Sequence, residues 1–209
     1  VAGTPLIGRT IKQANEASTI DRAIVSTDDE EIASVAREYG GEVPFMRPDR
    51  LATDESPGPP VIKHALDWVE QQQEPPAVIV KLQVTSPLRR VDDIDGAVQK
   101  LRNDDAAKSI ISVTEFEQPP FWAVAPDEDG YLHTYFENDI LWTDDIPRSQ
   151  DLPNLRCPNG AIFAARRNAF VEQESFYTDA TIPFEMPRDR SIDIDKPIDL
   201  EIVRTLAEK

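Results

Sequence analysis

Leu82-Gln83-Val84-Thr85-Ser86-Pro87-Leu88-Arg89 follows directly on the apolar run Ala77-Val78-Ile79-Val80. A short β-branched run that breaks into polar, proline-fixed residues predicts a strand delivering groups to the carboxyl edge of a sheet. Open α/β folds bind their ligands at that edge. The basic residue that ends the stretch predicts an anionic ligand.

The flanking segments alternate. Upstream, residues 5–18 carry helical spacing at Leu6, Ile7, Thr10, Ile11 and Ala14, and residues 22–26 form a short β-branched strand. Asp28, with Glu31 three positions later, resembles a capping box opening a helix that runs to Tyr39 and is ended by Gly40 and Gly41. Residues 43–46 are strand-like and 61–69 show the apolar side of a helix. Downstream, a helix over 91–101 is followed by a strand over 109–114. Strands separated by helical lengths predict βαβ crossovers and a mainly parallel sheet. At Phe121 the pattern changes, because residues 122–125 and 131–135 flank the turn Pro126-Asp127-Glu128-Asp129-Gly130 and predict a late hairpin. A strand over 161–165, a segment over 181–194 and a closing helix from about Pro197 to Ala207 complete the chain. The expected organisation is a single domain over 1–209, with about 116–150 as an inserted hairpin element.

Composition narrows the function classes. The 209 residues include 39 acidic against 22 basic ones, for a net charge of −17, and only seven of the basic residues are lysine. A lysine-poor, acidic surface over a normal apolar core points to a high-salt habitat, where dense carboxylates hold water and ions screen their repulsion. No basic stripe exists to displace counterions from a nucleic acid. Nothing approaches the roughly 18 apolar residues of a membrane span, so a soluble cytoplasmic protein is the expectation. Cys157 is the only cysteine, which rules out an intrachain disulfide and, within a single chain, Cys-based zinc or iron-sulfur sites.

Several positions are candidates for chemistry. Asp193-Ile194-Asp195 puts two carboxylates on one face of a strand, where they can share a hard cation such as magnesium. With 22 aspartates, roughly two D-x-D triplets arise by chance, and three occur, at Asp93, Asp127 and Asp193. Position separates them: Asp93 and Asp95 open a helix, Asp127 and Asp129 sit in the hairpin turn, whereas residues 191–195 alternate like a half-buried strand. An edge strand with its aspartates facing salt water is the competing reading. Asn159-Gly160 before a buried strand reads equally as a left-handed turn. The arginines of Arg47-Pro48-Asp49-Arg50 read equally as surface pairs. His64, among Val61, Ile62, Ala65 and Leu66, reads as packing, and Cys157 as a small buried thiol with no nearby histidine to activate it.

Taken in order, these pieces resemble the acylneuraminate cytidylyltransferase family, which activates sialic acids and related nonulosonates as CMP-sugars. The resemblance rests on Pro5-Leu6-Ile7, Val25-Ser26-Thr27-Asp28, Arg47-Pro48 with Leu51-Ala52-Thr53-Asp54, and the stretch from Leu82 to Arg89. It continues through Arg148 with Gln150-Asp151-Leu152-Pro153, Asn159-Gly160-Ala161-Ile162, and Ser191-Ile192-Asp193-Ile194-Asp195. It implies a three-layer α/β/α, Rossmann-like nucleotidyltransferase fold, CTP and a nonulosonic acid as substrates, Mg2+ as the metal, and a homodimer contacted through the late insertion. It assigns Asp193 and Asp195 to the metal, Arg47, Thr85 and Ser86 to the nucleotide, and Gln118, Arg148, Arg156 and Asn159 to the sugar acid and the transferring phosphate. Many family members carry a basic residue just before Pro-Asn-Gly, where this chain has Cys157, and Arg156 is the candidate substitute. The family's first strand and its glycine- and lysine-containing triphosphate loop are expected just before Val1. The rival expectations are another sugar nucleotidyltransferase, a glycosyltransferase, and a non-catalytic nucleotide- or sugar-binding relative.

Overall fold

A computed structural model describes residues 1–53, 55–136 and 140–207. Two compact units divide the chain, one formed by Val1–Val113 with Pro158–Lys209 and the other by Thr114–Cys157.

The larger unit opens with α1 (Leu6–Glu16) and α2 (Glu30–Glu38). The cap of α2 is Asp29, one residue past the expected Asp28, because its Oδ1 accepts the N–H groups of Glu31 and Ile32 at 2.7 and 2.9 Å. Helix α3 (Gly58–Glu70), strand β1 (Val78–Leu82), helix α4 (Val91–Asn103) and strand β2 (Ser109–Glu115) follow the predicted alternation. The two early strands expected over 22–26 and 43–46 shrink to isolated parallel bridges, Ile24 with Glu42 and Thr27 with Met46. Pro44 lies between those bridges and has no N–H to give, so a continuous ladder cannot form there.

In the smaller unit, β3 (Val124–Pro126) and β4 (Leu132–Thr134) form the predicted antiparallel hairpin. Asp127 holds its turn, with Oδ1 accepting the N–H groups of Asp129 and Tyr131 at 3.0 and 2.8 Å.

The chain re-enters the sheet as β5 (Arg156–Arg166), turns through α5 (Arg167–Gln173), and continues into β6 (Thr181–Glu185) and α6 (Pro197–Ala207). Strand order is β1-β5-β2-β6, with β1 and β5 antiparallel and β2 and β6 parallel. In register, Leu82, Val80 and Val78 face one side with Ile162 and Ala164, where they pack with Ile94, Ala97 and Leu101 of α4. Ile79 and Phe163 face the other side, against Leu66 of α3 and Phe170 of α5. Helices thus cover both faces of the sheet, the expected three-layer α/β/α arrangement. The short α5 was not anticipated, because its seven residues carry too few apolar positions to show a helical period.

Candidate functional site

Strand β1 ends at Leu82 and delivers the Gln83–Arg89 stretch to the sheet's carboxyl edge, as its sequence predicts. The loop over 191–195 comes to the same place. The N–H of Ile194 donates to the carbonyl of Thr85 at 2.9 Å, and Ser86 Oγ reaches Asp193 Oδ1 at 3.4 Å. Residues 191–195 are therefore not the strand their alternation suggested. Their backbone partner is a loop carbonyl, so no ladder forms, and the segment follows a tight turn at Arg188–Arg190.

Contacts separate the three D-x-D triplets. Asp93 is held by Arg190, through Nη2 at 2.8 Å and Nε at 3.1 Å, and Asp95 by Ser18 and Thr19. Asp127 holds its own hairpin and pairs with His133 at 2.8 Å. Asp193, by contrast, accepts only the long bond from Ser86, and the Asp195 carboxylate accepts none among the described residues. The Asp195 N–H is held by Asp199 Oδ2 at 3.1 Å, which fixes the loop at the start of α6. Asp193 is half-buried and Asp195 exposed. Two carboxylates without a protein cation bonded to them suit Mg2+, which keeps several waters and takes one or two carboxylates together with substrate phosphates. No group of three or more His, Cys, Asp or Glu side chains placed to hold a metal occurs among the described residues.

Asn159 is buried and braces this edge. Its Oδ1 accepts from Ser112 Oγ at 2.5 Å and from the Ala161 N–H at 3.2 Å, while Nδ2 donates to Ser191 Oγ at 2.8 Å. Ser191 Oγ in turn donates to the Pro187 carbonyl at 2.9 Å. The amide thus links β2, β5 and the aspartate loop, and each of its polar atoms is engaged by protein. Gly160 lies beside Asp193 with φ +76°, and a Cβ there would stand 3.2 Å from Asp193 Oδ2. The Asn159-Gly160 pair is thus a left-handed kink within β5 that lets the carboxylate approach the backbone.

Thr85 Oγ1 is buried without a hydrogen-bond partner. Arg89, expected to face an anion, is instead 1% exposed. Its Nη1 donates to the carbonyls of Ala161 at 2.6 Å and Gln83 at 3.2 Å, and Nη2 donates to Gln13 Oε1 at 3.1 Å. Burial pulls this guanidinium down to about 10, with Asp93 opposing. It remains charged at neutral pH and serves as the clamp of the loop it ends. Arg9 Nε reinforces that clamp by donating to the Pro87 carbonyl at 2.7 Å.

Arg47 is half-buried and held by Ser26, whose hydroxyl accepts from Nε at 3.2 Å. Asp54 of the neighbouring motif lies outside the described residues. In the smaller unit Gln118 is exposed, and Arg148 is exposed and pairs with Asp151 at 3.0 Å. Arg156 is half-buried and bonds Asn154, with Glu115 at 3.8 Å. Cys157 is half-buried, and His64 packs edge-on against Phe45 with ring centroids 4.6 Å apart.

The sequence reading missed Ser112, which looks like any strand serine until β5 is placed beside it. It also missed Arg190, whose ion pair with Asp93 ties the turn before the aspartate loop to α4. A cleft of about 590 Å³ lined by Pro75, Ala77, Lys108 and Arg166 lies where β1 begins, at the end of the strand remote from Thr85. Its three cations are committed elsewhere: Lys108 pairs with Asp179, Arg167 with Glu70, and Arg166 donates to the carbonyls of Leu101, Asp104 and Ala107.

The chain is 33% identical over 214 residues to the CMP-N,N'-diacetyllegionaminic acid synthase of Legionella pneumophila, covering 100% of this chain and 87% of that protein. It is 32% identical to the N-acylneuraminate cytidylyltransferase of Streptococcus agalactiae serotype V, over 93% of this chain; the chain spans only 45% of that longer relative. A solved CMP:2-keto-3-deoxy-manno-octonic acid synthetase complexed with CTP superposes with a TM-score of 0.67 at 19% identity, covering 100% of this chain and 89% of that one, which bears on the fold alone. The profile described as Cytidylyltransferase matches residues 1–208, so the chain belongs to the cytidylyltransferase family.

Proposed function

We propose that the protein transfers CMP from CTP to the anomeric hydroxyl of a sialic-acid-like nonulosonic acid and releases pyrophosphate. The observation that carries this reading is the Ile194–Thr85 backbone bond at 2.9 Å, which brings together the two stretches that resemble the family most specifically. The acceptor class follows the relatives, whose names specify an N,N'-diacetyllegionaminic acid and an N-acylneuraminate as the sugars they activate.

In the proposed reaction the sugar hydroxyl attacks the α-phosphorus and gives up its proton to solvent, and the bond from that phosphorus to the bridging oxygen breaks, releasing pyrophosphate. Asp193 and Asp195 would hold Mg2+, which when bound neutralises triphosphate charge as the leaving group departs. Thr85 and Ser86 would border the nucleotide together with Arg47. Gln118, Arg148 and Arg156 would serve the sugar acid, since a guanidinium fork matches a carboxylate with two bonds at once. Asn159 contributes by holding β2, β5 and the aspartate loop in register.

A homodimer formed through the smaller unit is part of the proposal. Tyr131, Tyr135 and Trp142 are 70%, 70% and 56% exposed there, more apolar surface than a solvated hairpin requires. The excess of acidic residues supports activity in high salt, and a cytoplasmic location follows the substrates. No helix among the described residues is long and apolar enough to cross a membrane.

The test is pyrophosphate release from CTP and Mg2+ with a panel of nonulosonic acids in high salt, with light scattering on the same sample. Release with one acid and a dimer mass support the reading; CTP binding without release from any acid removes it. Gly160→Ala is expected to cost roughly 1–2 kcal/mol of stability through its left-handed backbone. By displacing Asp193 it should also lower turnover about 10- to 100-fold. Melting curves alongside the pyrophosphate assay separate these effects, and an unchanged turnover would show that Asp193 has no need of the kink.

A further inference from the structure

Lys81 lies one residue before the end of β1, close to the sheet's carboxyl edge. It sits in β1 directly across from Phe163 of β5, and its side chain leaves the strand on the same face as that ring. Its Nζ stands 4.8 Å from the centre of the Phe163 ring. It makes no hydrogen bond or ion pair among the described residues. Most other lysine and arginine side chains near the sheet are engaged: Arg89 and Arg166 by carbonyls, Arg190 by Asp93, Arg167 by Glu70, and Lys108 by Asp179.

Burial of a cation without a bonded anion is unfavourable, and a ring face offsets only part of that cost. With 39 acidic residues in the chain, a carboxylate partner was readily available to sequence change. Burial pulls Lys81 below the ordinary lysine range, with the charge of Asp193 opposing that pull.

We infer that Lys81 is a binding residue for a phosphate oxygen of the nucleotide, on the side of the site that carries Asp193. An ammonium one residue before the end of β1, with a carboxylate held beside Ser86 just past that end, suits a polyanion that meets both, one oxygen bonded to the lysine and another drawn to a cation on Asp193. Lysine serves here as a point charge rather than a fork, as phosphate binding allows. This inference rests on the proposed use of CTP but does not require that a sugar acid be the acceptor.

The experiment is calorimetric titration of CTP, CMP and cytidine, with Mg2+, into the full-length protein and its Lys81→Met and Lys81→Arg variants. Lys81→Met is expected to weaken CTP about tenfold, leave cytidine unchanged, and reduce the salt dependence of CTP binding. Lys81→Arg should recover most of the loss. Equal CTP affinity in wild type and Lys81→Met overturns the assignment, as does an equal loss for cytidine, which would mean that the variant deforms the site. Wild-type protein that binds CTP but releases no pyrophosphate overturns the proposed function and leaves the Lys81 comparison intact. Failure of the wild type to bind CTP overturns both.

Discussion

Asp193→Asn is expected to lower kcat/KM for pyrophosphate release roughly 1000-fold in Mg2+, equivalent to about 4 kcal/mol of transition-state stabilisation. The substitution is nearly isosteric. An asparagine oxygen still accepts from Ser86 Oγ, and the Ile194–Thr85 bond that seats the loop is made by backbone. Folding should therefore survive while half of the charge offered to the metal is lost. Asp195→Asn is expected to behave alike, and the double variant to be little worse than either, because residues acting as one unit do not contribute additively. Chelation with EDTA should silence the wild type. The matched control is Asp127→Asn, which removes a charge from a D-x-D already committed to its hairpin and should leave turnover unchanged. Full activity in both Asp193→Asn and Asp195→Asn, with folding verified by circular dichroism, would remove the metal from these residues.

That test isolates a distinction that pattern alone could not make. Three D-x-D triplets look alike in the sequence, and the structure distinguishes them by what each carboxylate touches. Asp93 and Asp95 are consumed in holding Arg190 and residues 18 and 19, partners 97 and 77 or 76 positions away. Contacts at such separations have no local sequence signal. The elements themselves were easier to read. Helix α6 begins and ends where Pro197 and the following periodicity put it, β1 and β4 lie within the expected runs, and β3 runs one residue further, into Pro126 of the expected turn. Their signals are short-range: proline at a first turn, β-branched runs, and a turn with glycine.

What the sequence hid depends on strand pairing. Ser112 becomes a partner of Asn159 only when β2 and β5 are neighbours, and Lys81 meets Phe163 only in the β1–β5 register. The alternation over 191–195 was misleading for a related reason. A period of two describes any extended segment, and here the extended segment bonds to the Thr85 carbonyl instead of to a strand. The aspartate loop lies beside Thr85 and Ser86 all the same, although no strand ladder carries it there.

Arg89 shows the limit most clearly, and its substitution should have the largest effect on stability. Arg89→Met is expected to destabilise the protein by about 3–5 kcal/mol, lowering Tm by roughly 6–20 °C for a chain of this size. Replacing a buried ion by an apolar side chain is sometimes neutral, because the penalty of burying the charge disappears with it. Here it should not be. The guanidinium is the donor for the Ala161 and Gln83 carbonyls and for Gln13 Oε1, and methionine would leave these acceptors unsatisfied inside the protein. Gln13 in turn donates to the Pro87 carbonyl at 3.2 Å, so its release loosens the loop from α1 as well. Arg89→Lys keeps the charge but can serve fewer acceptors than the fork, and should fall between methionine and wild type. Thermal melts of the three proteins, paired with CTP titration below their melting points, decide the role. A destabilised Arg89→Met that still binds CTP when cold is what a clamp predicts. Wild-type stability with CTP binding lost would mean that Arg89 meets the nucleotide after all, as the basic end of its sequence stretch first suggested.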